Sequence, residues 1–144
     1  MPRIKIDLPD TFSFSAKIPV RITDINYGGH VGNDTILSIL HEARIQFLNH
    51  HGYSELDCGG AGLIMSDVGI EFKNEVFYGD TIVASVTAGE FSKVAFEIYY
   101  KLEKQKENEM VLIAAAKTGM VCYDYRNKKI AIVPDEVKKK LTVK

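Results

Sequence analysis

One short stretch of the chain concentrates residue types that can do chemistry. Residues 21–34 hold three glycines, one histidine, two asparagines and two aspartates, directly before a predicted helix. Glycines let a backbone come close to a ligand, and the first amides of a helix have no partner inside it. Such amides can hold an anion or stabilise a developing oxyanion. The same composition also suits a tight loop that ends in a capping side chain, so both interpretations stay open.

A helix is predicted to follow this loop, over residues 35–51. Asn33 and Asp34 are predicted to cap its start, and Gly52 sits where a left-handed terminator belongs. Apolar and polar residues separate onto two faces at helical spacing. The apolar face holds Ile36, Leu37, Leu40, Ala43, Phe47 and Leu48, and the polar face holds Ser38, Glu42, Gln46 and Asn49.

The rest of the chain is rich in β-branched residues and turn signals, which predicts strands. One long helix with five or six mostly antiparallel strands is an α+β architecture, in which a curved sheet is the surface available to cover the helix. No linker or repeat divides the chain, so residues 1–144 are predicted to form a single domain. Strands are predicted over residues 12–23, 63–72, 81–87, 94–102, 111–125 and 130–133, with a charged hairpin loop over 103–109 and a short helix opening at 134–136.

Composition narrows the classes of function. Nineteen acidic and eighteen basic residues nearly cancel, and this balance lacks the basic excess of nucleic-acid-binding proteins. The longest apolar run, residues 111–116, is far shorter than the roughly 20 residues that span a bilayer, so we expect no membrane insertion. Two cysteines are too few for a disulfide framework. With no apolar segment of signal-peptide length near the start, a cytoplasmic protein is expected.

The loop and the helix together resemble the hotdog-fold acyl-CoA thioesterases, and more closely the 4-hydroxybenzoyl-CoA thioesterase-like family. The resemblance rests on residues 24–33 (Asp-Ile-Asn-Tyr-Gly-Gly-His-Val-Gly-Asn), on Glu42-Ala43-Arg44, on Ile70-Glu-Phe72 and on Tyr78-Gly79-Asp80, and covers residues 14–134. It implies a hotdog fold, in which a curved antiparallel sheet wraps a long central helix. It also implies a homodimer or homotetramer joined through sheet edges.

The implied substrate is the thioester of an acyl group with coenzyme A or with an acyl-carrier protein. Coenzyme A is then part of the substrate, and no cofactor is implied. The pair His50-His51 lacks carboxylates or cysteines at ligand spacing, so no metal site is expected either. In the resemblance, the oxyanion amide falls close to Gly32 and Asn33. The predicted substrate-binding residues are Gly29, Gly32, Asn33, Asp34 and His41.

The predicted catalytic residues are Asn26, His30 and Glu42. The family's catalytic aspartate corresponds to Asn26, whose amide cannot accept a proton at neutral pH. His30 could replace it as a general base, or could bond a neighbouring carbonyl and shape the loop. Other thioesterases of the fold place a carboxylate in the helix, at a position that falls on His41 or Glu42.

Three charged side chains also have structural interpretations. Glu42 lies on the polar face of the predicted helix, where a solvated or salt-bridged residue is expected. Asp34 could act as a base or as a cap. Arg44 is predicted to pair with a buried acid such as Asp24 rather than to contact substrate.

Thioester hydrolysis is therefore the leading hypothesis. The alternative is a non-catalytic acyl-CoA-binding protein that kept the fold and lost the carboxylate, and Asn26 supports it. An acyl-CoA hydratase or dehydratase ranks lower, because the sequence shows no His–Asp or His–Glu pair of their type.

Overall fold

The computed structural model describes residues 3–142, in which a long helix lies against an antiparallel sheet of six strands. The sheet has the order β1–β3–β4–β5–β2, and β6 pairs with the end of β5. This confirms the predicted α+β architecture and the curved, helix-covering sheet of five or six strands. The strands are β1 (Phe14–Pro19), β2 (Gly62–Phe72), β3 (Thr81–Gly89), β4 (Ala95–Lys106), β5 (Glu109–Asp124) and β6 (Lys129–Ile130), and the helices are α1 (Asn33–His50) and α2 (Asp135–Leu141).

Helix α1 starts two residues earlier than predicted. Gly32 is the N-cap, with an extended backbone and no side-chain hydrogen bond to the first turn. The predicted capping by Asn33 and Asp34 is therefore wrong, because both residues already lie inside the first turn. The amide of Val31 donates to the carbonyl of Val76 (2.8 Å), which anchors the chain just before it turns into the helix.

The end of α1 confirms the prediction for Gly52. This residue has φ +81°, and its amide donates to the carbonyl of Asn49 (3.0 Å). The amide of Tyr53 donates back to the carbonyl of Leu48 (2.8 Å). These two bonds form a Schellman motif, which satisfies carbonyls that the helix leaves unpaired.

The buried face of α1 is centred on Leu40, Ala43 and Phe47, which are almost completely inaccessible to solvent. Ile39 is buried as well, whereas Leu37 is 43% exposed although the pattern placed it on the apolar face. Leu37 lies at the margin of the stripe, toward β2, where the sheet does not close over the helix. The core thus confirms the helical periodicity and corrects its centre.

The charged segment before β5 is mostly strand rather than loop. Strand β4 runs to Lys106, β5 begins at Glu109, and these two residues pair across the hairpin. Within this strand Lys104 points inward, donating to the carbonyl of Glu75 (2.7 Å) and to Asp80 Oδ2 (3.1 Å). The β4–β5 pairing can continue through these residues because the inward Lys104 has acceptors, and residue type alone does not reveal those partners.

Strand β2 forms one edge of the sheet and carries a register shift between Met65 and Asp67. The extra residue, Ser66, lets Met65 and Val68 lie opposite Met120 and Thr118, which are both buried. The shift explains the weak alternation of this segment, because a bulge moves later side chains to the other face. No helix within residues 3–142 is long and apolar enough to cross a membrane.

The half-buried His51 follows the last residue of α1 and has no polar partner on one ring nitrogen. His51 Nε2 is inaccessible to solvent and accepts no hydrogen bond from residues 3–142. The ring packs edge-on against Phe47, with 5.1 Å between ring centres. Burial lowers the pKa of His51, and the nearby charges of His50 and Lys140 lower it further.

We predict that His51 reduces the stability of the fold in acid. As pH falls through about 6.5, the unfolded chain takes up a proton at His51 before the folded chain does, so the free energy of unfolding decreases. The variant His51→Gln should lose less stability between about pH 7.5 and 5.5 than the unsubstituted chain, measured by urea unfolding. The exposed neighbour provides the comparison variant His50→Gln, which should reduce the acid-induced loss of stability less, because it removes only one of the causes that lower the pKa of His51. Equal losses in the unsubstituted chain and His51→Gln would contradict the prediction.

Candidate active site

The segment before α1 folds as a narrow hairpin. Ile25 and Val31 form an antiparallel bridge, and the amide of Asn26 donates to the carbonyl of His30 (2.9 Å). The amide of Gly29 donates to the carbonyl of Asn26 (3.1 Å), and Gly29 has φ +80°. Glycine adopts this left-handed conformation without steric cost, so it closes the turn. The hairpin holds Asn26 and His30 side by side.

The side chain of Asn26 is oriented by the hairpin itself. Its Oδ1 accepts a hydrogen bond from the amide of Gly28 (2.9 Å), and this bond fixes which end of the amide is which. The Nδ2 group then points toward the start of α1, where it lies 3.4 Å from the place that a Cβ would take on Gly32. Within residues 3–142 this NH₂ group donates no hydrogen bond to protein, so it is available to a ligand.

His30 has one engaged and one available ring nitrogen. Its Nδ1 lies 3.1 Å from the carbonyl oxygen of Val31, which can only accept a hydrogen bond. Nδ1 therefore carries the proton in the neutral ring, and Nε2 carries the lone pair. A Cβ on Gly28 would lie 3.2 Å from His30 Nε2 and 3.4 Å from Asn26 Oδ1. Glycine at this position leaves room for both side chains.

The first turn of α1 opens beside these two side chains. The amides of Asn33, Asp34 and Thr35 make no hydrogen bond to any residue between 3 and 142. These amides form the positive end of the helix dipole, where negative charge is stabilised. Asp34 Oδ1 would clash with a Cβ on Gly32, at 2.6 Å. The structure thus brings Gly29, Gly32, Asn33 and Asp34 together around the Asn26–His30 pair.

A cleft of about 600 Å³ begins at His30 and Asn33 and continues toward the far end of β2. The hairpin borders it through an antiparallel bridge between His30 and Phe77. Apolar side chains and three lysines share its walls. The cleft is lined by Val31, Ile36, Phe72, Asn74, Glu75, Val76, Val111 and Ile113 and by the lysines Lys73, Lys104 and Lys106.

Two of the predicted site residues lie elsewhere on α1. Glu42 is nine residues after Asn33, roughly 13 Å along the helix axis. It is exposed, accepts a hydrogen bond from Gln46 (2.7 Å) and lines a separate cleft beside β1. His41 turns toward β2, where its Nε2 lies 2.9 Å from Glu55 Oε1. Within one chain, the structure does not bring Glu42 or His41 to the Asn26–His30 pair.

The predicted pairing of Arg44 with Asp24 is wrong. Arg44 is buried, as expected, but its Nε donates to Glu55 (3.2 Å) and its Nη1 donates to Tyr100 (3.1 Å). Asp24 instead accepts hydrogen bonds from the backbone and side chain of Arg21 at the turn that follows β1. Helix α1 presents Arg44 to β4, whereas Asp24 caps a turn on the side of β1.

Some residues around the site were not found by sequence reasoning. Glu55, Tyr100 and Thr118 build a buried network with Arg44, although they come from a loop and two strands far apart in sequence. The sequence predicts that Lys104 lies in the charged hairpin loop over 103–109, yet it lies in β4 and borders the cleft. The alternating pattern of β4 could have placed Lys104 on the inner face, next to Leu102 and Tyr100, had the strand been extended through the charges.

The sequence profile of the family described as thioesterase-like superfamily matches residues 20–141. Among curated proteins, none matches the chain significantly in sequence.

Solved structures resemble the whole arrangement. A 1,4-dihydroxy-2-naphthoyl-CoA thioesterase from Synechocystis is 23% identical, with 89% of this chain and 94% of that chain covered and a TM-score of 0.78. A gentisyl-coenzyme A thioesterase is 19% identical, with 90% and 100% covered and a TM-score of 0.77. An aspartate-to-asparagine mutant of 4-hydroxybenzoyl-CoA thioesterase, in complex with 4-hydroxybenzoyl-CoA, is 14% identical, with 90% and 98% covered and a TM-score of 0.80. At these identities the likeness establishes the hotdog fold.

We predict that neutral His30 carries its proton on Nδ1. The bond to the carbonyl of Val31 stabilises this tautomer and leaves Nε2 as an acceptor. A long-range nitrogen–proton NMR correlation spectrum in alkaline buffer should show the protonated-Nδ1 pattern for the signal that disappears in His30→Gln. The exposed His50→Gln variant assigns a second histidine as a control. A protonated-Nε2 pattern for His30 would contradict the prediction.

Proposed function

Because the chain belongs to the thioesterase-like superfamily, we propose that it hydrolyses an acyl-CoA thioester to a free acid and coenzyme A. One observation carries this proposal. An available base nitrogen on His30 and an available donor on Asn26 lie together at the uncapped start of α1. Thioester hydrolysis needs these parts, since a base must activate water and donors must hold the oxyanion.

In the proposed mechanism, His30 Nε2 takes a proton from a water molecule as the water oxygen attacks the thioester carbon. The carbonyl oxygen becomes an oxyanion, which the amides of Asn33 and Asp34 and the Nδ2 group of Asn26 stabilise. The carbon–sulfur bond then breaks, and the proton on His30 passes to the departing sulfur. Water is consumed, and a carboxylic acid and a thiol are released. Asn26 thus acts as a hydrogen-bond donor and does not itself take a proton.

The lysine-bordered cleft supports coenzyme A as the thiol half of the substrate. Lys104 is held in the wall by Asp80 and Glu75, with its ammonium 5.1 Å from the centre of the Phe77 ring. Lys106 lies nearby on the same strand. Cations beside an apolar wall suit a ligand that carries phosphates on an otherwise uncharged arm. An acyl-carrier protein would present the same arm without the nucleotide.

The exposed edge of β2 supports assembly as a homo-oligomer. This strand has eleven residues and is open on one side, and its side chains Ile64 and Phe72 are 38% and 46% exposed. A long apolar edge invites pairing with another chain. We propose a homodimer joined at this edge. Light scattering would show whether two such dimers pair further into a tetramer.

A second candidate function is acyl-CoA binding without turnover. Residue 26 is an asparagine and supplies no carboxylate to assist His30, which favours binding without turnover. Saturable binding of acyl-CoA by purified protein, without thiol release from any of a short, medium, long and aryl acyl-CoA panel, would establish it.

We predict thiol release from at least one member of that panel, and strong loss in His30→Gln. Removing the base should lower kcat by about 10²- to 10⁴-fold. Glu42→Gln tests the third predicted catalytic residue, and its distance from His30 leads us to expect near-normal kcat. Asn49→Ala, near the other end of α1, is the matched surface control. A large loss in Glu42→Gln with normal His30→Gln activity would move the base into the helix.

We also predict that Asn26→Asp lowers kcat. A carboxylate keeps the acceptor for the Gly28 amide, so the hairpin is preserved, but it replaces the NH₂ donor with a negative charge beside the oxyanion. Loss of one such donor costs about 10²- to 10³-fold in kcat. Higher activity in Asn26→Asp would show instead that the unsubstituted site lacks a base.

A further inference from the structure

A separate cavity of about 260 Å³ lies between α1 and the inner face of β2. We call it the α1–β2 cavity. Its apolar walls are the side chains of Leu37, Leu40, Met65 and Val68, its inner end is formed by Arg44 and Thr118, and the exposed residues Ser38 and His41 also line it. The bulge at Ser66 places Met65 and Val68 together on this wall. A cavity with apolar sides and a polar end suits a ligand that is apolar along its length and polar at its tip.

Arg44 presents a free donor to this cavity. Its side chain is almost completely buried, with Nε bonded to Glu55 and Nη1 bonded to Tyr100. Nη2 has no hydrogen-bond partner within residues 3–142. In this part of the chain, His51 Nε2 is the one side-chain polar atom that is both inaccessible to solvent and without a partner. Because Nη2 lacks a partner and is not that atom, it must be accessible. Arg44 Nη2 is therefore accessible from the cavity that Arg44 lines.

The remaining hydrogen bonds hold the guanidinium in place. Tyr100 accepts from Arg44 and lies 2.7 Å from Thr118 Oγ1. Burial alone would lower the pKa of Arg44, but Tyr100 and Glu55 raise it overall, so the group stays charged. Burial raises the pKa of Tyr100, which stays a neutral phenol. A donor fixed in this way loses little conformational freedom when a ligand binds.

The charges around the donor favour a neutral acceptor. Glu55 balances the charge of Arg44 and also lies 2.9 Å from His41 Nε2 at the rim of the cavity. A second carboxylate at Arg44 would have to compete with Glu55. A hydroxyl or carbonyl oxygen needs one hydrogen bond and brings no net charge into the cavity.

The cavity is placed to receive the acyl half of the proposed substrate. Leu37, on its wall, follows Asn33 by four residues, so the two lie one above the other on α1. Arg44 is eleven residues from Asn33, roughly 16 Å along the axis, and its long side chain points back toward the helix start. The volume corresponds to on the order of eight or nine water-sized groups. A medium-length chain fits this distance and volume.

We propose that the α1–β2 cavity binds a medium-length acyl group and that Arg44 Nη2 donates a hydrogen bond to a neutral oxygen at its far end. Arg44 is then a specificity-determining residue, and the substrate class is an acyl-CoA with a terminal hydroxyl or keto oxygen. This inference rests on the proposed function for the position of the thioester. It also assigns His41 to the acyl-binding rim, apart from the hydrolytic pair.

The test compares binding of two thioether analogues that cannot be hydrolysed, decyl-CoA and 10-hydroxydecyl-CoA. The hydroxyl analogue should bind about 10-fold more tightly, because a hydrogen bond to a charged donor is gained. Arg44→Lys should remove this preference, because a single ammonium nitrogen cannot occupy the three separate positions of Nε, Nη1 and Nη2 that face Glu55, Tyr100 and the ligand. Equal affinity of the two analogues for the unsubstituted protein would overturn the role of Arg44.

A second variant is independent of the buried network. Val68→Phe adds volume to the cavity wall at a position that is 38% exposed. It should weaken binding of both decyl analogues at least about 10-fold and leave ethyl-CoA binding unchanged. If Val68→Phe changes the oligomeric state and not the chain-length preference, a second copy fills the cavity and the inference is wrong.

Turnover separates this inference from the proposed function. Hydrolysis of decanoyl-CoA and 10-hydroxydecanoyl-CoA at equal kcat/KM, with equal analogue affinities, would retain the thioesterase and remove the Arg44 preference. A preference in analogue binding with no hydrolysis of either thioester would retain the cavity assignment and remove the hydrolytic function.

Discussion

The burial of α1 against one face of the sheet is the constraint on which the rest of this structure depends. Leu40, Ala43 and Phe47 occupy the centre of the core, and their positions fix the rotation of the helix. Once that rotation is set, Arg44 must face β4, Leu37 must face the open side of β2, and Glu42 must face solvent beside β1. The start of the helix is fixed as well, because the amide of Val31 bonds to Val76 just before Gly32.

The hairpin before α1 adds the side chains of Asn26 and His30 to this fixed helix start and so completes the candidate site. Asn26 uses its acceptor to bond the Gly28 amide, which leaves its donor directed toward the first turn of α1. His30 uses its Nδ1 on the neighbouring carbonyl, which leaves Nε2 free. Each side chain thus uses one polar atom in a local hydrogen bond and leaves the other available to a ligand. The absence of side chains at Gly28 and Gly32 makes these approaches sterically possible.

The buried network around Arg44 shows how a charge is tolerated in the core. Glu55 supplies the opposite charge, and Tyr100 accepts a further hydrogen bond, so protein groups replace the water that would otherwise solvate the guanidinium. The network ties α1 to β4 and to the loop that precedes β2. It lies between the core and the α1–β2 cavity, and therefore places a polar group at the inner end of that cavity.

The sequence by itself determined the α+β architecture, the long helix with its end at Gly52, most strands, and the loop that holds Asn26 and His30. These features depend on periodicity, turn residues and spacing, which act over a few neighbouring positions. The tertiary structure decided the helix start at Gly32, the continuation of β4 through its charges, and the partner of Arg44. It also separated Glu42 and His41 from His30. Such pairings join residues far apart in the chain, and the packing of α1 on the sheet, rather than local sequence, selects which of several possible partners meet.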